Sequence, residues 1–490
     1  MFRRVRSRLR DASQVDKRLV RRSAGLPPSR ADRVLTALTK SANHGKLWFG
    51  VSAVLALRKG KTRRAAMRGV AAIGGASMSA NLIGKQLFPR RRPAAELLPV
   101  HRRLTKRPTS SSFPSGHSAS AVAFTTALAM ESPVLGLVIA PVAAAVAYSR
   151  VHTGVHWPTD VAAGAAIGVA AGLATRRWWP TGTDEPAIAH PHSALSALED
   201  GEDLLVLVNP GSGVDGEDPT GQIAEYWPKA TVLTPSPGRD LVEQLRDAVD
   251  SKAPKALGVA GGDGTVAAVS TVAAERQLPL VLVPAGTLNH FARDVGADGI
   301  QSAATAVSAG DGVRVDLSTV TVDSQPARWF INTASLGGYP DMVRLREKLE
   351  KRWTKWPAAG MALVKILRES TPLHLRINGE HHLVWMIFVG NGSYRPKGFA
   401  PTTRPRLDNG LMDVRYIRAD VRFSRLRFIA AAITGALHRS VTYRHFDTGE
   451  LDVTVIGSPV AIATDGEVGP EGTRFRFRSQ PAALGVYRAE

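Results

Sequence analysis

The chain has 490 residues, and its 63 Lys and Arg against 42 Asp and Glu leave a formal charge of +21. The excess sits in the first 180 residues, which hold 30 basic and 6 acidic side chains (net +24), so the remaining 310 carry 33 basic and 36 acidic (net −3). With 44% hydrophobic and 21% charged residues the disordered and fibrous classes are excluded, the absence of Cys excludes a disulfide framework, a thiolate metal site and a cysteine nucleophile, and the length suggests about three domains.

Residues 1–46 form a basic arm with 13 Lys or Arg. No apolar stretch follows Arg3, Arg4, Arg6, Arg8 and Arg10, so no cleavable signal peptide is expected. Without aromatic interleaving or a recognised motif, nucleic acid is not the expected partner. An anionic membrane surface suits the charge, and a solvated arm with no specific role fits it equally.

Residues 47–180 read as an all-α membrane helix bundle. Gly69 to Gly84, Ser118 to Met130, Pro133 to Tyr148 and Val161 to Thr175 are uncharged runs of 16, 13, 16 and 15 residues. Each is shorter than the roughly 20 residues of a full span unless its polar flanks reach the headgroups. Their Ala and Gly content suits close helix packing in a bilayer and equally suits buried helices of a soluble all-α domain. Leu47 to Leu57 is better suited to an interfacial or re-entrant segment.

Three clusters mark the ends of these helices. Lys85, Arg92 and Pro93 form K-x6-R-P; Pro114-Ser115-Gly116-His117 opens the next helix; Ser149-Arg150, His156 and Asp160 form S-R-x5-H-x3-D. Three cations, two imidazoles and a carboxylate suit a phosphate group, because Arg grips phosphate oxygens through paired donors and the backbone amides of Ser115 and Gly116 at a helix N-terminus add an anion site. His156 and Asp160 share a face at i, i+4, so Asp160 can fix the tautomer of a nucleophilic imidazole, leaving His117 to protonate the leaving oxygen.

The joint spacing resembles the three-part signature of the type-2 phosphatidic acid phosphatase superfamily, over roughly residues 47 to 179. The resemblance implies a phosphohydrolase without cofactor, working through a phosphohistidine: His156 as nucleophile, Asp160 as its orienting partner, His117 as general acid, and Lys85, Arg92 and Arg150 holding the phosphate.

Residues 181–203, with T-G-T-D-E-P, H-P-H and E-D-G-E-D, have the composition of an exposed linker. Beyond it, Leu204 to Val208 ends in Asn209-Pro210-Gly211-Ser212-Gly213, Ala256 to Ala260 ends in Gly261-Gly262-Asp263-Gly264-Thr265, and Leu278 to Val283 ends in Pro284-Ala285-Gly286-Thr287-Leu288-Asn289. Helix-like stretches near 239–250 and 265–276 intervene, and the alternation predicts a parallel α/β sheet. Three Gly-rich turns at strand ends suit nucleotide phosphates.

The motif P-A-G-T-L-N-H-F-A-R-D from Pro284 to Asp294, with G-G-D-G-T, resembles the diacylglycerol kinase catalytic family over about 204 to 490. NAD kinases share the G-G-D-G-T turn, and F-A-R-D favours the lipid-kinase branch. The resemblance implies ATP and Mg²⁺, an α/β nucleotide-binding lobe (204–312) and a C-terminal β-sandwich lobe (313–490), with the site between them. Short β-forming runs at Val313 to Val322, His374 to Ile377, Leu383 to Val389, Leu451 to Val455 and Arg474 to Arg478 agree with the second lobe. Asn209, Gly211, Ser212, Gly213, Gly261, Gly262, Gly264, Thr265, Gly286, Thr287 and Asn289 would line the nucleotide, Asp263 would act through Mg²⁺ and ATP, and Asp465 of Thr464-Asp465-Gly466-Glu467 would be the base for the lipid hydroxyl, with Glu467 assisting at the metal or phosphates. Asp408 is the candidate ligand for a structural magnesium, with Arg404 and Arg406 close by in sequence. Val214 and Ala267-Ala268 depart from the family pattern. The segment Arg344 to Lys355 mixes cations with Trp353 and Leu residues, suiting either an anionic bilayer or an ordinary docked helix.

The sequence therefore predicts a bifunctional membrane lipid enzyme, phosphorylating a lipid alcohol, diacylglycerol most simply, and hydrolysing a phosphatidate-like lipid phosphate. A polyprenyl-diphosphate phosphatase joined to another lipid kinase, or a kinase with a non-catalytic membrane anchor, are the alternatives. A requirement for ATP puts residues 204–490 in the cytosol. Counting back four crossings places the Arg58 to Arg64 loop inside, as the positive-inside rule prefers, and residues 89–113 outside despite their seven Lys or Arg. Oligomeric state is not legible in the sequence.

Overall fold

The computed structural model describes residues 2–58, 60–179, 181, 186–190, 194–210, 219–236, 238–286, 289–337, 371–397 and 403–489, with side chains from residue 13 onward. The chain divides into two compact units, Met1–Gly182 and Thr183–Glu490.

The first unit is helical. α1 (Phe2–Ala24) and α2 (Arg30–Ser41) are separated by Pro27 and Pro28, and Ser29 starts α2 with a capping box closed by Asp32, whose Oδ2 accepts from Ser29 N at 2.9 Å. They are no solvated arm: Asp16, Val20 and Thr39 are fully buried. α3 (Lys46–Ala56) buries Trp48 against Phe124 at 5.3 Å between ring centroids, so this segment, expected at an interface, contributes to the bundle core. α4 (Lys61–Ser77) runs through a π-helical stretch, Met78–Gly84, into α5 (Lys85–Leu87). A π turn widens the helix and re-aims side chains, which is why such turns gather at functional sites.

α6 (Gly116–Glu131) packs against α4, α7 (Pro133–His152) and α8 (Pro158–Ala174). The α6–α8 crossing is close because Gly164, Gly168 and Gly172 lie four residues apart on one face. A Cβ on Gly168 would stand 2.5 Å from the Ala119 carbonyl oxygen, so a larger residue forces the helices apart. Two helical segments, Pro133–His152 and Pro158–Arg177, each of 20 residues, are long and apolar enough to cross a membrane.

At the far end of α6, Glu131 is buried against Arg68, with Nε donating at 2.7 Å, and takes Arg64 Nε at 3.2 Å. Removing one partner of a buried ion pair costs about 3–5 kcal/mol, because the other charge stays desolvated. Glu131→Leu is therefore expected to lower the melting temperature of the detergent-solubilised protein by many degrees, with Glu131→Gln intermediate. Thermal unfolding followed by circular dichroism checks this.

In the second unit, β1 (Leu204–Val208), β2 (Thr231–Leu233), β3 (Ala256–Gly261) and β4 (Leu280–Pro284) form a parallel sheet in the order β2-β1-β3-β4. β1 and β3 are buried along their whole length, as uninterrupted apolar runs require when helices cover both faces. The helices are α9 (Thr220–Tyr226), α10 (Leu241–Lys252), α11 (Asp263–Glu275), α12 (His290–Val295) and α13 (Ile300–Ala309).

The second lobe is antiparallel: β5 (Gly312–Val322), β6 (Arg328–Phe330), β7 (Thr333–Gly337), β8 (Leu373–Ile377), β9 (Glu380–Asn391), β10 (Met412–Arg418), β11 (Tyr443–Thr448), β12 (Glu450–Val455), β13 (Val460–Thr464), β14 (Glu467–Gly472) and β15 (Arg474–Tyr487), with α14 (Ser424–Thr434) beside them. Phe330, Leu336, Ile387, Val414, Phe475 and Phe477 belong to its core. The two lobes are stitched together by the last strand: β15 pairs with β5 and β12, and Val486 near its end pairs parallel with Leu280 of β4.

The described residues of the segment expected as an exposed linker are bound to this unit. Ala187 is buried and its amide donates to Asp294 O at 2.7 Å, Ile188 pairs with Arg406 and His190 with Arg314, Leu198 is buried, and Tyr487 Oη donates to Ser196 O at 2.6 Å. Polar composition marked it as a loop, and backbone pairing, which composition does not report, fixes it in place.

Candidate active sites

The first unit holds a cavity of about 610 Å³. Lys85, Arg92, Gly116, His117, Arg150 and His156, all expected at the phosphate site, line it, together with Asn43 and Asn81. Three of these are cations with no carboxylate among the lining residues. Burial first, then repulsion by Arg92 and Arg150, pushes the Lys85 pKa down. Such a cluster is strained without an anion and is relieved by one.

His156 sits in the turn between α7 and α8. Its Nδ1 lies 2.6 Å from Ser112 O and its Nε2 lies 3.3 Å from Arg92 Nη1. A carbonyl only accepts, so Nδ1 carries the proton and Nε2 holds the lone pair that faces the cations. Burial, with Arg150 and Arg92 adding to it and Asp160 opposing, lowers the imidazole pKa to about 4. The nucleophilic neutral form thus dominates above pH 4. The rate of phosphate release is expected to hold on its acid side until the pH falls through about 4, where an ordinary imidazole would fail near 6.5; a kcat/KM profile from pH 3 to 8 checks this.

Two expectations for this site are corrected. Asp160 Oδ2 is 3.7 Å from His156 Nδ1, so the tautomer is set by the Ser112 carbonyl rather than by the carboxylate. Asp160 acts one step removed: it binds the Ser112 hydroxyl, accepts from Trp157 N at 2.8 Å and takes Arg90 Nη1 at 2.6 Å. The Ser115 amide is no phosphate donor, since it donates to Asp160 O at 2.9 Å, while the Ser115 side chain caps α6 by accepting from Ser118 N.

Arg92 donates to Ser110 O (3.0 Å) and Ser111 O (3.2 Å) and is held against Val155 O at 2.5 Å. Arg150 Nη1 donates to Thr39 Oγ1 at 3.2 Å, and its Nε is buried with no hydrogen-bond partner among the described residues. The sequence reading passed over Ser112, Arg90, Thr39, Asn43 and Asp16. They reach the site across long stretches of chain, so no local spacing marks them.

In the second unit the Gly-rich turns after β3 and β4 converge. A Cβ on Gly286 would fall 2.6 Å from Gly262 Cα, and one on Gly261 would fall 2.8 Å from Thr265 Cβ. Asn289 holds φ at +47° and closes its turn on Gly286 through bonds of 3.0 and 2.7 Å. Asp263 Oδ1 accepts from His290 N at 2.7 Å, tying the second turn to the third. Asn209 Nδ2 donates to Thr265 Oγ1 at 3.3 Å, bringing the end of β1 to the same place. Gly264 is in the first turn of α11. Gly211, Ser212, Gly213, Val214 and Thr287 lie outside the described residues, as does the Arg344 to Lys355 segment.

Asp465 occupies the β13–β14 turn at φ +50°. Its Oδ1 accepts from Asn332 N (2.8 Å) and Thr333 N (2.9 Å) and its Oδ2 from Ile331 N (2.9 Å). Burial pushes its pKa up and the three amides pull it back, with the net shift upward. A carboxylate offers about four acceptor positions, so one on Oδ2 remains for a substrate hydroxyl. Glu467, two residues on, is exposed.

The Asp465 turn is linked to the glycine turns by Arg404, which is buried. It donates to Asp294 Oδ2 (2.7 Å) on α12, to Ile331 O (2.6 Å) and to Asn332 Oδ1 (3.2 Å), and stacks between Phe291 and Tyr394. The Asp of F-A-R-D is thereby a structural anchor. Asp408 does not suit a metal: Arg406 grips it through Nε (2.9 Å) and Nη2 (3.1 Å), placing a cation where a dication would sit, and no group of three His, Asp or Glu among the described residues has metal-ligand geometry.

Comparison with known proteins agrees with both halves. Residues 65–184 match the PAP2 superfamily and residues 203–320 the diacylglycerol kinase catalytic domain. The diacylglycerol kinase of Mycobacterium tuberculosis (strain CDC 1551 / Oshkosh) is 28% identical over 248 residues, 48% of this chain and 79% of that protein. Among solved structures, a diacylglycerol kinase from Bacillus anthracis str. Sterne covers 59% of this chain and 97% of its own at 16% identity and TM-score 0.40. Aquifex aeolicus LpxE covers 32% and 91% at 26% identity and TM-score 0.28.

Proposed function

We propose that this fusion of a PAP2-superfamily region with a diacylglycerol-kinase catalytic region is a bifunctional membrane lipid enzyme. The second unit transfers phosphate from ATP to a lipid alcohol, diacylglycerol foremost, and the first hydrolyses a phosphatidate-like lipid phosphate. The observation that carries the phosphatase reading is the lone pair of His156 Nε2 facing Lys85, Arg92 and Arg150 in one cavity. The reaction splits in two: Nε2 attacks phosphorus as the P–O bond to the alcohol breaks, and water then releases phosphate from the histidine.

For the kinase, the Gly286 turn packs so closely on Gly262 that a Cβ on Gly286 would clash with it, which brings the two glycine turns to one place and suits the phosphates of ATP. Asp263 Oδ2, the oxygen not taken by His290, would hold Mg²⁺, which neutralises charge on the phosphates. Asp465 accepts the lipid proton, and Arg404 keeps its turn in register with the glycine turns.

Two helices long and apolar enough to cross a membrane support the membrane reading, and the kinase's need for ATP is what argues for a cytosolic kinase and a phosphatase loop outside. Because the chain has no Cys, single cysteines at exposed Val100 and Ser251 report sidedness directly. An impermeant maleimide is expected to label the first and spare the second in intact cells. The activities are tested together by following label from ATP into diacylglycerol and phosphate release from phosphatidate in mixed micelles. Label in the lipid and free phosphate are both expected, and absence of either product overturns that half of the proposal.

A further inference from the structure

The match to the PAP2 superfamily begins at residue 65, yet three side chains from the preceding 64 residues reach its catalytic groups. Asp16, fully buried, accepts from Thr159 N (2.9 Å), Thr159 Oγ1 (2.6 Å) and Arg90 Nη2 (2.7 Å), and the same Arg90 holds Asp160 through Nη1. Thr39, also fully buried, sits 2.6 Å from Ser149 Oγ and accepts from Arg150. Asn43 Oδ1 lies 2.9 Å from His117 Nε2.

We infer that the amino-terminal arm is a wall of the phosphatase site and that Asn43 is the positioning residue for the leaving-group acid, His117. This rests on the phosphatase reading. An amide oxygen only accepts, so the contact fixes the proton on His117 Nε2 and sets the plane of the ring. Burial, then Arg150, holds the His117 pKa down to about 2, and the negative charge of the substrate phosphate raises it; in the imidazolium so formed, Nε2–H stays with Asn43 and Nδ1–H is the proton to be given away. As His156 Nε2 bonds to phosphorus, the electron pair of the breaking P–O bond goes to the alcohol oxygen, which takes that proton; His117 returns to neutral and recovers a proton from the water that later releases phosphate. The turn carrying Asn43 is built for the purpose: His44 and Gly45 are both left-handed, at φ +55° and +73°, and Ala42, Asn43, His44 and Gly45 all line the cavity. A β-carbon at Gly45 would meet the Phe49 ring at 2.9 Å, so the position favours glycine on both φ and space.

A purely structural role and a positioning role differ in their dependence on the leaving group. An alkoxide leaving from phosphatidate needs a proton, whereas the p-nitrophenolate leaving from p-nitrophenyl phosphate does not. In full-length protein in detergent micelles, Asn43→Ala is expected to lower kcat on phosphatidate by about 10²-fold, the low end for loss of general acid catalysis, while changing p-nitrophenyl phosphate turnover less than about threefold. Asn43→Asp, which keeps the acceptor, is expected to recover most of the loss. On a His117→Ala background, Asn43→Ala is expected to add nothing, because the two act as one unit. Equal losses on both substrates, or no loss on phosphatidate, overturn the assignment of Asn43 while leaving the phosphatase reading intact. A wild type that releases phosphate from neither substrate overturns that reading and the assignment with it.

Discussion

His156→Ala is expected to abolish phosphate release from phosphatidate, by a factor on the order of 10⁴ or more, while leaving label transfer from ATP to diacylglycerol within about twofold of wild type. The size of the loss follows from geometry. The Ser112 carbonyl holds the Nδ1 proton at 2.6 Å, so the ring presents an unprotonated nitrogen to the three cations. The other cavity-lining imidazole near the phosphate motifs, His117, has its Nε2 engaged by Asn43 and does not substitute for it. Retention of kinase activity follows from the division of the chain into two compact units, each with its own core. Phosphate release persisting in the variant would place the nucleophile elsewhere. Loss of both activities with a lowered melting temperature would instead report unfolding, and His156→Asn, closer in size, then repeats the measurement.

The parts of the two sites that sequence reading reached are those tied to local pattern. The run Leu204 to Val208 is found as a strand with the same ends, because a strand buried on both faces is an unbroken apolar run stopped by glycine and proline. Lys85, Arg92, His117, Arg150 and His156 converge because each is pinned near a helix end by its spacing. The uncharged runs, in contrast, stopped short of the true helices. Tyr148 was the last residue of one run, but α7 continues to His152, since Thr39 binds Arg150 and Asp32 accepts from His152 Nε2 at 2.7 Å. Polar partners inside the fold make charged residues admissible within a helix that composition alone would end.

The residues missed share one property: their partners are remote in sequence. Arg90 and Asp16 are 74 residues apart, as are His117 and Asn43, and Arg404 is 110 residues from Asp294. No periodicity or spacing encodes such pairs. Arg90 is the clearest case, standing beside Arg91 and Arg92 in a run whose members look equivalent. Arg92 faces the cavity and Arg90 faces the two carboxylates behind it. In the second unit, the sequence shows Arg404 only as a cation near Asp408, and the structure makes it the tie between the glycine turns and the Asp465 turn.

That tie bears on the second large effect, the loss of lipid phosphorylation in Asp465→Asn. Removing a positioned base costs about 10²–10⁴-fold, and the upper half of that range is expected here. Asp465 receives three backbone amides and has one acceptor position left. An amide side chain keeps one oxygen, which still serves Asn332 and Thr333, but turns an N–H₂ toward the Ile331 amide. The group on the open side then donates where the lipid hydroxyl needs an acceptor. Chemistry is lost by that reversal, and a further loss comes from the donor-to-donor contact, worth about 1–3 kcal/mol for a buried amide left unpaired. The two are separable. Asp465→Asn should lower kcat for diacylglycerol with little change in the KM for ATP, because the glycine turns hold the nucleotide through other residues. Arg404→Lys, which keeps the charge but loses the fork to Asp294, Ile331 and Asn332, should lower kcat and raise that KM together. Equal KM effects in the two variants would mean that Asp465 acts through the fold alone and that the base lies elsewhere in the site.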